Sequence, residues 1–160
     1  MNLLDTLWAY ILVFILAAVP FFEAYGVIPL AMIAGLSPVP VIILGLVGNI
    51  VTVLFVIIFV NKIKEWRQKR KSGEEEKAPG KRTLRAQKLW KKYGLPGLAL
   101  IGPLFVGSHL TAFMSVTLGG TKKKTAYWMI ASIVIWSIVF VILVYLGIDF
   151  FGHGERNFFE

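Results

Sequence analysis

Glu23 stands alone in an apolar run, Leu12 to Pro29, with no Lys or Arg nearby in the chain to neutralise it. An ionised carboxylate is costly in hydrocarbon, so it must face a protein interior, a partner or water. Pro20 and Pro29 flank it. They are expected to break the helix at that depth, where freed backbone groups survive only if buried in protein or lining a cavity. A broken helix carrying a lone acid is the local pattern of a transport site. Tyr25 and Gly26, beside the acid, are candidates for the substrate pathway.

A second broken apolar stretch, Gly102-Pro103-Leu104-Phe105-Val106-Gly107-Ser108-His109-Leu110-Thr111, carries a lone imidazole. If the two breaks meet, Glu23 and His109 form a buried pair able to exchange a proton near neutral pH, as a proton-coupled carrier requires. The competing reading is that each group merely satisfies the other or the broken backbone. Ser108 and Thr111 add hydroxyls, and N–H groups at half-helix ends could hold an anion such as a phosphate. Pro103 and Gly107 are expected to break the second stretch as Pro20 and Pro29 break the first. Asn49 and Thr52 could line the pathway, although uncharged polar residues in spans more often bond between helices. Gly45 and Gly48 read as close-packing positions.

These residues need elements that place them in a membrane. The chain has 160 residues, 57% of them hydrophobic and only 16% charged, with a mean hydropathy of +0.73. Soluble domains carry about 25% charged residues. Here the excess lies in long apolar runs at roughly 6–22, 24–36, 39–61, 94–118 and 125–151, the pattern of an integral membrane protein. The first run lacks a basic leader and a small-residue cleavage site, so it is not read as a signal peptide. Val39–Val60 and Thr125–Leu146 are uncharged and long enough to span a bilayer. The stretches 6–36 and 94–120 are broken in their middles, which favours a re-entrant hairpin over a kinked helix or two tilted spans.

Between them lies a basic segment, 62–93. Its centre, Lys71 to Gly80, reads as a flexible linker. In Arg82–Tyr93, Ala86, Leu89, Trp90 and Tyr93 recur at helical spacing, predicting an amphipathic helix over 82–93. Arg82, Arg85, Lys88 and Trp90 are its expected contacts with an anionic lipid surface. The positive-inside rule puts 62–93 in the cytoplasm. The first hairpin then opens outside, and the second opens to the cytoplasm at Lys122-Lys123-Lys124. Both termini, including the tail 150–160, fall outside. Tyr127, Trp128, Trp136 and Tyr145 fit interfacial belts, and His153 reads as incidental. Pro20 corresponds to Pro103, Gly35 to Gly119 and Ser37 to Thr121, 83 or 84 residues apart. The expected fold is therefore an all-α, single-domain integral membrane protein. It has two inverted-topology repeats, each a re-entrant helical hairpin followed by a transmembrane helix at 39–61 or 125–149.

With no cysteine, disulfides and thiolate chemistry are excluded. Neither a paired-carboxylate or His-x-x-x-His spacing, nor a Gly-x-Ser-x-Gly or nucleotide-binding motif is found, so no enzyme, metal or cofactor is expected. The net charge of +8 is placed as a topology signal rather than a nucleic-acid surface.

Pro20-Phe21-Phe22-Glu23-Ala24-Tyr25-Gly26-Val27-Ile28-Pro29 resembles the P-x-x-E-x-R-G-x-I-P signature of the small multi-drug export proteins, relatives of the DedA (VTT-domain) superfamily. Lys92-Tyr93-Gly94-Leu95-Pro96 onward resembles their second-half motif. Tyr25 stands where the family carries Arg, and Val106-Gly107-Ser108-His109 departs from the family's later element, so an arginine-dependent mechanism does not carry over. The resemblance implies two facing hairpins in a multi-pass protein of the prokaryotic inner membrane. It also implies a transporter or flippase, expected to be proton-coupled, for a lipophilic cation or lipid phosphate. Membrane lipids are the expected partners, with homo-oligomers allowed. The alternative is a membrane scaffold whose basic loop binds anionic lipid or a protein.

Overall fold

The computed structural model describes residues 3–71 and 80–150, which hold six helices and no strand. In chain order these are α1 (Leu3–Ala18), α2 (Ala24–Ile33), α3 (Pro38–Lys71), α4 (Lys81–Val106), α5 (Ser108–Thr117) and α6 (Lys122–Phe150). The expected all-α class is what these residues form. The linker expected over Lys71–Gly80 and the tail with His153 fall almost wholly outside the described residues.

Two helices, Pro38–Trp66 of α3 and Lys122–Gly147 of α6, are long and apolar enough to cross a bilayer. They are mostly uncovered by protein, unlike the core helix of a soluble domain. Along α3, Val39, Ile43, Val47, Val51, Phe55 and Ile58 are exposed at helical spacing. Ile135, Ile138, Ile142 and Leu146 do the same on α6. Apolar stripes of that extent are unstable against water and match lipid. Tyr127 and Tyr145 are exposed among them, while Trp136 meets Phe140 edge-on.

The chain divides into two compact units, residues 1–51 with 133–160, and residues 52–132. In the first, α1 and α2 pack on each other; in the second, α4 and α5 do. Gly48 of α3 lies so near α1 that a Cβ there would stand 2.5 Å from the Phe14 carbonyl oxygen, and one at Gly45 would meet Ile28 of α2 at 2.6 Å. Both glycines thus let backbones approach closely. In the second unit, Lys122 at the start of α6 donates to the Ile58 carbonyl of α3 at 2.6 Å.

α3 does not stop at the end of the apolar run. The segment 62–71, expected to be loop, continues the helix, because it holds good helix formers and no Gly or Pro. α4 is interrupted by Gly94, whose φ of 65° and ψ of −159° leave the helical region. It therefore consists of a basic amphipathic segment, 81–93, and an apolar segment, 95–106. Part of the apolar face of the first segment packs within the unit, while Tyr93 stays exposed. Ala86 is fully buried in a cluster with Leu98, Val106 and Met114, and Leu89 and Trp90 pack against it. Trp90, expected as a lipid contact, is half-buried and packs against this cluster. Arg82, Arg85 and Lys88 remain exposed.

The proline expectations need a second correction. Pro20 lies in the turn after α1, but Pro29 sits inside α2 and Pro103 inside α4. Both breaks occur where the backbone turns to positive φ, at Phe21 and Glu23 and at Gly107. A proline blocks one backbone bond and can be carried by a packed helix; a residue at positive φ leaves the helical region and ends the helix.

The segments after the breaks share their geometry 84 residues apart. α2 and α5 are each ten residues long. At the end of α2, the N–H of Gly35 (φ 90°) bonds to Met32 O and that of Leu36 to Ala31 O. At the end of α5, Gly119 (φ 119°) bonds to Val116 O and Gly120 to Ser115 O. Both are Schellman closures that only glycine adopts without strain. Ser37 and Thr121 then accept from the first turns of α3 and α6.

Candidate functional site

The acid is held by a turn its own sequence disfavours. Residues 19–23 form the turn, with Pro20, Phe21 and Phe22 exposed and Glu23 only 2% exposed. Phe21 takes a φ of 87°, and Glu23 a φ of 49° with ψ 157°. Such conformations cost L residues about 1–3 kcal/mol each and persist only where the surroundings over-determine them. Glu23 opens α2: its carbonyl accepts the Val27 N–H at 2.9 Å. Its carboxylate is hydrogen-bonded by the Tyr25 side chain two residues on. The Tyr25 ring lies 5.8 Å from that of Phe140, which Trp136 also approaches. The acid therefore sits at a helix N-terminus, favourable for a negative charge. Gly26 follows in α2 with open space beside it, and Asn49 on α3 is fully buried in the same unit.

Second-unit geometry starts from Gly107, with φ 95° and ψ 148°. It is the counterpart of Glu23 at the 84-residue offset, and its carbonyl accepts the Thr111 N–H as Glu23 accepts Val27. Tyr25 and His109 are then counterparts too. His109 Nε2 lies 2.9 Å from Thr52 Oγ1 of α3, and Nδ1 lies 3.3 Å from Ser108 Oγ. Hydroxyls can donate or accept, so either neutral tautomer satisfies both nitrogens. Ser108 and Thr111 are fully buried.

The expected site residues thus divide between the units. Glu23, Tyr25, Gly26 and Asn49 belong to the first; Ser108, His109 and Thr111 belong to the second, with Thr52 as an imidazole partner. Each ionisable group has a hydrogen-bond partner in its own unit. Sequence reasoning aligned Pro20 with Pro103; conformation instead aligns Glu23 with Gly107. It also passed over Ser115 and Thr125, fully buried hydroxyls that the same offset would have singled out. Among the described residues no three His, Asp or Glu side chains gather as metal ligands.

A family sequence model described as "Putative small multi-drug export protein" matches residues 23–139. No curated protein and no solved structure matches the chain. The match begins at the buried acid, takes in both long apolar helices for most of their length, and covers well over half of the sequence. Two lipid-matched helices, a buried acid at a helical break and this match lead to one identification: the chain is a membrane protein of the small multi-drug export family.

Proposed function

We propose that the protein is a secondary transporter or flippase, proton-coupled, in which Glu23 takes up and releases the proton or binds the cargo. The observation that carries this reading is Glu23 itself. It is 2% exposed, held in a left-handed backbone conformation and bonded to a tyrosine in an otherwise apolar turn. Burial of an acid under backbone strain has no structural benefit, and strain of this kind clusters at functional sites. A lone acid suits a proton or a lipophilic cation. A lipid phosphate would instead rest on the N–H groups at the starts of α2 and α5.

The architecture in this reading is a pair of inverted-topology repeats, each a re-entrant hairpin followed by a spanning helix, within the DedA-like class. Its support is the shared local geometry of the two halves. The opening segment of α3 is also grouped with the closing segment of α6, and the reverse. Such a grouping is what oppositely directed long helices would give. The protein would lie in a prokaryotic inner membrane with both termini outside and the basic segment in the cytoplasm.

Glu23→Gln tests the function. Uptake into proteoliposomes, assayed with a lipophilic drug cation and with labelled lipid phosphate, is expected to lose its proton dependence; unchanged uptake overturns the proposal. Thiol labelling of Ser37→Cys and Lys122→Cys tests the architecture, and modification of both from one side refutes the inverted repeat.

The exposed Arg82, Arg85 and Lys88 favour a second reading, a scaffold for anionic lipid or a protein. Neutralising them should abolish a scaffold's function and leave transport intact.

A further inference from the structure

α5 carries a face of hydroxyls that the first half of the chain lacks. Ser108, Thr111 and Ser115 recur at i, i+3 and i+7, within one face of the helix, and all are 0% exposed. Thr125, in the first turn of α6, is also 0% exposed, and its Oγ1 would lie 2.9 Å from a Cβ at Gly120. A Cβ at Gly102 of α4 would meet Thr111 Oγ1 at 2.6 Å. The hydroxyls of Thr111, Ser115 and Thr125 have no hydrogen-bond partner among the described residues. Thr117 of the same helix, by contrast, donates to the Met114 carbonyl at 3.1 Å.

The counterparts 84 residues earlier are Ala24, Val27, Ala31 and Val41. Each is the near-isostere of its hydroxyl partner, Ala for Ser and Val for Thr, and each is buried as well. The same shape therefore packs without any hydroxyl, so packing does not explain the four oxygens. Hydrocarbon does not solvate them either. They suit a face that meets water in another conformation and is covered by α4 in this one.

We infer that the Ser108–Thr111–Ser115 face of α5, with Thr125 at its mouth, lines a water-entry path. It leads from the end of the second unit that bears Lys122, Lys123 and Lys124 to His109, and it is closed here by α4 at Gly102. The ligand it takes is water, carrying protons to an imidazole already bonded to Ser108 and Thr52. This deepens the transporter reading by giving the proton a route, and it rests on that reading for its purpose. Its geometry is tested without any transport.

The protein has no cysteine, so single cysteines can be read cleanly. Thr111→Cys and Ser115→Cys, in the full chain in proteoliposomes, are treated with a charged, membrane-impermeant thiosulfonate. They are expected to react from the lysine-bearing side at roughly 0.1–10% of the rate of an exposed cysteine at position 123, the population of a minor open conformer. Val27→Cys and Ala31→Cys are expected to stay at background. No reaction at positions 111 and 115, or equal reaction at all four, overturns the inference. The double variant Thr111→Val with Ser115→Ala, which gives α5 the residues of α2, should melt at or above the wild-type temperature. A fall would mean the hydroxyls hold structure, and also overturns it. If labelling succeeds while Glu23→Gln leaves uptake unchanged, the path stands and the transport-site reading fails.

Discussion

Substitutions at position 23 separate what the backbone wants from what the carboxylate does. Glu23 adopts φ 49° and ψ 157°, a region where its counterpart Gly107 is at ease. Glu23→Ala and Glu23→Gly both delete the carboxylate and its bond from Tyr25, so that loss cancels between them. Alanine keeps a Cβ in the strained region, at about 1–3 kcal/mol. Glycine relieves the strain and loses about 0.4–1 kcal/mol through a looser unfolded chain. Glu23→Gly should therefore be more stable than Glu23→Ala by about 0.5–2 kcal/mol, against the usual preference for alanine in a helix by about 0.5–1 kcal/mol. For a chain of this size the gap amounts to about 1–8 °C in melting temperature. Intrinsic fluorescence of the five tryptophans during heating in detergent reads it directly. Gly107→Ala should in turn lose about 1–3 kcal/mol. If Glu23→Ala melts at or above Glu23→Gly, the turn is not strained as described, and the argument from strain to function loses its basis.

Other perturbations have outcomes fixed by the same geometry. Gly48→Ala drives a Cβ against the Phe14 carbonyl and should lower stability by about 1–3 kcal/mol, whereas Gly26→Ala meets open space and should gain about 0.5–1 kcal/mol; paired thermal melts compare them. Tyr25→Phe keeps the ring against Phe140 but removes the hydrogen bond to Glu23, a loss of about 1.5–3 kcal/mol if the carboxylate is charged; a melt unchanged from wild type would show that the bond carries nothing. Trp90→Ala should destabilise by about 2 kcal/mol through lost core contact. Changing Arg82, Arg85 and Lys88 to Gln should leave melting within about 0.5 kcal/mol. That triple change should weaken sedimentation with anionic vesicles by about 1 kcal/mol per residue if these side chains reach the lipid surface.

Much of the organisation was legible because it is written in large quantities. Two uncharged runs and a basic segment between broken stretches are signals that hydrophobic burial and charge placement enforce. The break at Gly94 followed from the end of the amphipathic period at Tyr93. The end of α3 did not, because nothing in 62–71 stops a helix once the membrane is behind it. Two of the expected breaks, Pro29 and Pro103, were misassigned for a related reason. Proline is the visible breaker in a sequence, but packing tolerated Pro29 and Pro103, and in the first half positive φ fell on Phe21 and Glu23, whose types give no hint of it. The packing of Trp90 on its own unit was not legible, because an amphipathic face looks the same whether it meets lipid or protein. Glu23 and His109 were visible as isolated ionisable groups. Their partners were not, since a bond from Thr52 across 57 positions leaves no local trace.

Pro29 gives α2 a softness that α5 does not share. A proline has no N–H to offer the Tyr25 carbonyl, so the ladder of α2 lacks a rung one turn after the residue that holds Glu23. The counterpart in α5 is Phe113, which carries its N–H. The first turn of α2, with its acid and its tyrosine, is thus one backbone bond short at Pro29, while Ile28 just ahead of the proline packs beside Gly45. The two halves would then differ in mechanics as well as in chemistry, one with a softer tip that bears the charge and one with a stiffer tip that bears the hydroxyls.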